Sequence, residues 1–398
     1  MEKYCPNSRF QEFNVNWSAS PASNIFVVES EKGYPELPIL SASQELGMIK
    51  RDNIGINMQY SKQNIASYKR VQPGRFVIHL RSFQGGFAHS AIEGITSPAY
   101  TVLSLREPQK HDDHFWKYLF NSPEFIKRLE LVTYGIRDGR SISVEDFFEL
   151  PFCYPSTQKE QHEIAQLFSR LDILIAAEDK KLSRLKNMKA ASLEKMFPKI
   201  GETTPQVRFK GFEGDWVEKY IGECFFERKE RSGKGEMISV TINSGVRKAK
   251  ELDRTVHISD TSNYKVVREG DIAYNSMRMW QGASGYSPYD GILSPAYTVI
   301  TPRENIDSRF FACLFKTKQL IHVFELNSQG LTSDTWNLKY NQLKDIAVRF
   351  PIDKKEQIYI ANFFSRLDTL ISAQEQKLGK LRSLKKSFLE KMFVNIQN

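Results

Sequence analysis

KEQHEIAQLFSRLDILIAAEDKKLSRLKNMKAASLEKMF, Lys159 to Phe197, returns as KEQIYIANFFSRLDTLISAQEQKLGKLRSLKKSFLEKMF, Lys355 to Phe393. The two stretches align without a gap, and roughly half of their positions are identical. In the first, Ile164, Phe168, Leu171, Ile175, Leu182, Leu185 and Met196 keep a four-three spacing. In the second, Ile360, Phe364, Leu367, Ile371, Leu378, Leu381, Phe388 and Met392 keep the same register. Apolar residues at that spacing, flanked by Lys, Glu, Arg and Gln, predict two long helices with a heptad seam. Glu178, Lys189, Gln374 and Lys385 interrupt the seam, and polar residues there fix register or partner choice. At ~1.5 Å per residue, such a helix spans roughly 57 Å. The simplest arrangement pairs the two helices with each other; a helix shared with another subunit is the rival.

Working outward, the rest of each half also repeats, more faintly. SPAYTV stands at Ser97–Val102 and at Ser294–Val299, each behind a Gly-Ile pair at Gly94 and Gly291. Arg81-Ser-Phe-Gln84-Gly85 matches Arg278-Met-Trp-Gln281-Gly282. Arg9-Phe10, Phe13 and Trp17 have the spacing of Arg208-Phe209, Phe212 and Trp216. The chain is therefore a tandem duplication with the order globule, long helix, globule, long helix. Short apolar runs such as Arg75–Leu80 and Asp271–Tyr274, punctuated by Gly, Pro, Asn and Ser, read as strands and turns. Asp113–Phe120 and Arg309–Phe315 read as helices, so each globule is mixed α/β. The Ser-Pro pairs read as turns that start a strand.

A chain of 398 residues with 40% hydrophobic and 12% aromatic residues can bury real cores and is not a disordered chain. Lys and Arg exceed Asp and Glu by 56 to 47, a net charge of +9, which fits a polyanionic partner. No apolar run approaches the ~18 residues of a membrane span, and the N-terminus has no secretory apolar core, so a cytoplasmic location is expected. Cys5, Cys153, Cys224 and Cys313 are scattered without CxxC spacing and read as reduced, mostly buried residues. Catalytic motifs fail on inspection. Ser232-Gly-Lys-Gly235 lacks the P-loop frame, no GxGxxG follows a strand, and no GxSxG surrounds Ser97 or Ser294. His111-Asp-Asp-His114 reads as a solvated acidic turn, not a metal site, because adjacent residues point different ways and the other half has no counterpart. Two diverged globules held on rods suit recognition of a two-part target. DNA half-sites share a face at about 10 bp, roughly 34–36 Å apart.

The whole chain resembles the specificity subunit of type I restriction–modification systems. The resemblance rests on Pro155–Ile175, with Glu160-Gln161 and Leu171-Asp172, and on Pro351–Ile371, with Glu356-Gln357 and Leu367-Asp368. The RFxxFxxxW openings and the GIxSPAY motifs carry it further. Asn14-Val-Asn16-Trp17 departs from Glu213-Gly-Asp215-Trp216 within those openings. The resemblance implies two mixed α/β target-recognition domains in pseudo-symmetric tandem, residues 1–154 and 201–350. Between them it implies two long antiparallel coiled-coil helices, within 155–200 and 351–398. Each domain would read one half of a bipartite asymmetric site on double-stranded DNA. The resemblance also implies a non-catalytic chain with no bound cofactor. Two modification (methyltransferase) subunits would dock on it and carry S-adenosylmethionine for adenine-N6 methylation. Restriction (endonuclease/translocase) subunits would carry ATP and Mg. A coiled-coil scaffold with two protein-binding modules is the alternative, which salt-dependent DNA affinity would distinguish.

The DNA-binding candidates are Arg81, Gln84, Arg137 and Arg140 in the first half. In the second they are Arg228, Lys229, Arg247, Lys248, Asn275, Arg278 and Gln281. Arg and Gln match guanine and adenine edges in the major groove. Yet Arg81 and Gln84 recur as Arg278 and Gln281, and readers of different sequences should differ, so these are expected on phosphate or in the scaffold. Base readers are expected where the halves do not align, Gln44–Gln63 and Arg228–Arg254. Arg137 and Arg140 are expected on phosphate.

Overall fold

The computed structural model describes residues 5–43, 46–54, 65–135, 140–242, 245–252, 261–332 and 335–394. The chain divides into two compact units, Met1–Asp179 with Gln376–Asn398, and Lys180–Glu375. The division falls inside the long helices Gln158–Lys195 and Lys354–Lys391, not at their ends. Each unit takes one globule and half of each helix, because the helix ends are part of the globule cores. Among the described residues, no helix is long and apolar enough to cross a membrane.

In the first unit, a four-stranded antiparallel sheet runs Phe26–Glu29, Thr101–Leu105, Phe76–Ile78, Ala88–His89 in spatial order. Successive side chains of a strand point to opposite faces. Phe76 and Ile78 enter one core with Phe26, Trp116, Phe120 and Phe152, while Val77 enters a second with Leu40, Met48 and Val71. Both faces are covered, so these strands read as continuous apolar runs without alternation. Two short helices lie on the larger core. Asp112 caps Asp113–Phe120 by accepting from the Phe115 amide at 3.0 Å, and Ser122 caps Pro123–Leu131.

The second unit repeats this pattern strand for strand. Its sheet order is Phe225–Glu227, Tyr297–Pro302, Ile272–Asn275, Ser284–Tyr286. Ile272 and Tyr274 face one core and Ala273 the other. Asp307 and Thr317 cap the helices Ser308–Leu314 and Lys318–Leu326. Both Ser-Pro pairs form turns, with the Tyr100 amide donating to Ser97 and the Tyr297 amide to Ser294 before each strand.

Within each unit the two half-helices pair with opposite chain directions. In the first, Asp172 accepts from Lys385 at 2.5 Å, Asp179 from Arg382 at 2.8 and 3.0 Å, and Phe168 stacks on Phe393 at 5.8 Å. In the second, Asp368 accepts from Lys189 at 2.5 Å, Glu375 pairs with Lys186 at 2.7 Å, and Phe364 stacks on Phe197 at 6.0 Å. Of the seam residues, Ile164, Phe168, Leu171, Ile360, Phe364, Leu367 and Leu378 are buried. Ile175, Leu182, Leu185, Ile371 and Leu381 are half-buried. The polar seam residues Glu178 and Gln374 are buried too, and Lys377 donates to Glu178.

Candidate nucleic-acid interface

The family-like Glu-Gln pairs turn out to be clasps between globule and helix. Glu160 is 2% exposed and accepts from Arg9 at 2.6 and 2.8 Å and from the Trp17 indole at 3.1 Å. Glu356 accepts likewise from Arg208 at 2.7 and 2.8 Å. Gln161 accepts from the Asp112 amide at 2.8 Å and donates to the Pro155 carbonyl at 3.0 Å. Gln357 does the same with the Asp307 amide and the Pro351 carbonyl, both at 2.9 Å. Each clasp holds the N-cap residue of a globule helix against the start of a long helix. The differing openings 14–17 and 213–216 keep the arginine–glutamate pair but not the indole contact: Trp17 donates to Glu160, whereas the Trp216 indole nitrogen is buried without a hydrogen-bond partner among the described residues.

Beyond the clasps, each unit exposes one loop between neighbouring strands of its sheet. In the first unit it is the turn Ser82–Gly85, fixed by the His79 amide donating to Ser82 Oγ at 2.9 Å. It closes at Gly86, whose φ of +82° puts an added Cβ 1.9 Å from the Phe120 carbonyl oxygen. Arg81 and Gln84 are exposed on this turn. The exposed Arg140 lies over the Phe83 ring, 5.7 Å from its centroid. In the second unit the loop holds the short turn Met279–Gln281. Asn275 Oδ1 accepts from the Met277 amide at 3.0 Å, and the Trp280 indole donates to the Met277 carbonyl at 3.1 Å. Trp336 packs edge-on against Trp280 at 5.3 Å. Arg278 is exposed, whereas Gln281 turns inward, its Oε1 buried and without a hydrogen-bond partner among the described residues. Lys316 holds this loop from behind, donating to the Gly282 carbonyl and to Ile242 at 2.9 Å. Burial pushes the Lys316 ammonium down to about 8. Nothing in the sequence marks Lys316, because its acceptors are backbone carbonyls from other segments.

Residues 214–383 match the family model of the type I restriction modification DNA specificity domain. The matching span covers the second globule and most of the second long helix, and the first half has the same strand order and the same clasps. Residues 214–383 are therefore a type I restriction modification DNA specificity domain. No curated protein matches the chain. Among solved structures, it resembles a type I restriction–modification S subunit from M. genitalium. That likeness has 16% identity and a TM-score of 0.60, covering 99% of this chain and 100% of that one. It also resembles a chain from a study of complex assembly and conformational transition of the type I R-M system. There the identity is 15% and the TM-score 0.54, with 95% of this chain and 98% of that one covered. At these identities the likeness is one of fold. The matched family is one of DNA specificity domains.

Against a DNA-recognition role, the candidates separate into two kinds. Arg81, Gln84 and Arg140 come together in the first unit, as do Asn275, Arg278 and Gln281 in the second. Lys229 and Arg247 are exposed, the latter on the hairpin Ile238–Thr241 and Gly245–Lys248. Arg228 is reassigned to the scaffold. It donates to the buried Asp271 at 2.7 and 3.0 Å, an internal contact that leaves little of the guanidinium for a ligand. Lys248 is likewise held, by Glu236 at 2.6 Å and over the Tyr289 ring. Arg137, Arg254 and most of Gln44–Gln63 lie outside the described residues. The acidic stretch at 111–114 meets a partner that the sequence does not show. His89, Asp113 and His114 have ligand atoms within 4.8 Å of one another. The His89 Nε2 to Asp113 hydrogen bond of 2.6 Å already satisfies both groups. A cation there would also face the positive end of the helix Asp113–Phe120.

Proposed function

We propose that each unit reads one half of a bipartite, asymmetric DNA site, and that the paired long helices set the separation of the half-sites and dock two modification subunits. In this reading the specificity subunit has two mixed α/β target-recognition domains in pseudo-symmetric tandem, with the helices as an antiparallel coiled-coil spacer. The observation that carries it is one topology built twice, with the clasps retained and the exposed loops diverged. A retained clasp suits docking and spacing common to both halves, and diverged loops suit two different half-sites. The chain itself is non-catalytic and binds no cofactor. S-adenosylmethionine, ATP and Mg belong to the modification and restriction subunits, which flip and methylate adenine or translocate and cut DNA. The assembly works on double-stranded DNA in the cytoplasm.

The test is exchange of the first globule for that of a relative, in the complex with modification subunits, followed by sequencing of methylated adenines. One half-site should change and the other persist. A change in both, or in neither, would refute modular reading.

A further inference from the structure

We propose that Arg140 and Trp336 are specificity-determining side chains, Arg140 for a guanine edge and Trp336 for a thymine methyl. The inference rests on the reading above, that each unit reads one half-site. It starts from an equivalence that sequence alignment does not show. Tyr134 pairs with Ser141 across a short antiparallel ribbon, and Gln329 pairs with Asn337 across the matching bridge. Arg140 and Trp336 immediately precede Ser141 and Asn337, so they occupy the same place in the two units. Each rests on the same support. Phe83 and Trp280 both stand two residues after the shared arginine, Arg81 or Arg278, and they carry Arg140 at 5.7 Å and Trp336 at 5.3 Å.

A reader of diverged half-sites must itself differ while its mounting stays constant. That is the pattern here: an aromatic platform, Phe83 or Trp280, and its flanking arginine recur, and the side chain packed against the platform changes from Arg140 to Trp336. Arg81 and Arg278, being common to both units, suit the common ligand, the phosphate backbone.

The chemistry of the two readers then differs in a defined way. A guanidinium held over a ring through its cationic face needs no hydrogen-bond partner there, which leaves its N–H groups for the fork geometry that meets guanine O6 and N7. Arg140 has no ion pair among the described residues that would hold those groups. Tryptophan has a single donor and cannot form a bidentate pair, so Trp336 meets the duplex through its apolar face, which fits a thymine methyl.

The experiment uses the full chain assembled with its modification subunits. Methylated motifs are sequenced, and DNA affinity is measured against salt. Arg140→Ala and Arg140→Lys should both relax one guanine position of one half-site, roughly 5- to 150-fold in discrimination. Lysine should keep the salt slope, since it keeps the charge but not the fork. Trp336→Ala should relax one thymine position of the other half-site and leave the salt slope unchanged. Where Trp336→Ala does not fold, Trp336→Arg carries the test, with guanine expected to replace thymine. Full specificity in Arg140→Lys, or affinity lost equally on all sequences, would make Arg140 a phosphate contact and overturn the proposal. So would an unchanged motif in folded Trp336 variants. If exchange of a whole globule also leaves both half-sites unchanged, the half-site reading itself fails; if only the point variants are silent, this inference alone fails.

Discussion

Arg228 forms an ion pair with the buried Asp271 in the second unit, and at the matching strand positions of the first unit, Glu29 and Arg75 form a more exposed pair with the charges exchanged. The Arg228–Asp271 contact closes at 2.7 Å and the Arg75–Glu29 contact at 2.7 Å. Glu29 lies opposite Val102, and the Arg228 amide donates to the matching Val299. A swap of this kind preserves the electrostatic contact and discards the identity of its members, so Arg228 is explained by Asp271 and not by a ligand.

Removing Arg228 should therefore cost stability and not recognition. Asp271 is 1% exposed, and it also accepts from Thr301 and the Arg268 amide, both at 2.8 Å. Breaking a buried pair by deleting one partner costs about 3–5 kcal/mol. Because Arg228 is partly exposed, the lower end, about 3 kcal/mol, is expected for Arg228→Ala in urea unfolding. The double variant Arg228→Glu with Asp271→Arg, copying the first unit, should recover part of this loss. The folded fraction of each should methylate the parent motif.

The glutamine clasps should be as costly as core residues. Gln357→Leu leaves the Asp307 amide and the Pro351 carbonyl without their partner. At roughly 1–3 kcal/mol per orphaned buried group, a loss of about 3 kcal/mol is expected in denaturant unfolding. Gln161→Leu should match it in the first unit. A loss under about 1 kcal/mol in both would show that the clasp is replaced by water.

Mild acid should loosen the first unit before the second. Burial holds the His79, His89 and His111 imidazoles below their ordinary value, and all three belong to the first unit. They stay neutral when folded, while the unfolded chain takes up protons near pH ~6.5. Unfolding then binds protons, so stability falls as pH drops below that value. Amide exchange in Phe76–Ile78 and Ala88–His89 should accelerate between pH 7.5 and 5.5 more than in Ile272–Asn275. Equal acceleration in both sheets would contradict the assignment.

The long helices should act as a ruler. Four residues inserted after Ala176 add about 6 Å and rotate the downstream part by roughly 40° beyond a full turn. In a variant shown to be folded, the spacer of the methylated motif should lengthen by about one or two base pairs, at ~3.4 Å per pair, with both half-sites unchanged. An unchanged spacer would mean that the helices do not set the separation.

Much of this architecture is legible in the sequence, and for a clear reason. The seams from Ile164 and Ile360 are local, periodic and repeated, so each long helix announces its length and its buried face. The strands at Phe76 and Ile272 are legible for the same reason, as short apolar runs between turn residues. The duplication itself needs no coordinates. The ends of the compact units are not legible, because Phe197 and Phe393 enter globule cores through contacts far away in sequence.

The readers were hidden for a related reason. Arg140 and Phe83 lie far apart in the chain, as do Trp336 and Trp280, and no spacing rule joins them. Alignment of the halves found what recurs, Arg81 with Arg278 and Gln84 with Gln281, but it could not find an equivalence whose members differ. It also could not separate a cation held by a carboxylate, such as Arg228, from one facing solvent, such as Arg247. By itself the sequence determined the tandem order and the helices, since those depend on periodicity and repetition along one chain. Only the tertiary structure decided which charges are used up inside, and which side chain lies on the aromatic platform of each unit, since burial and pairing are properties of segments brought together from a distance.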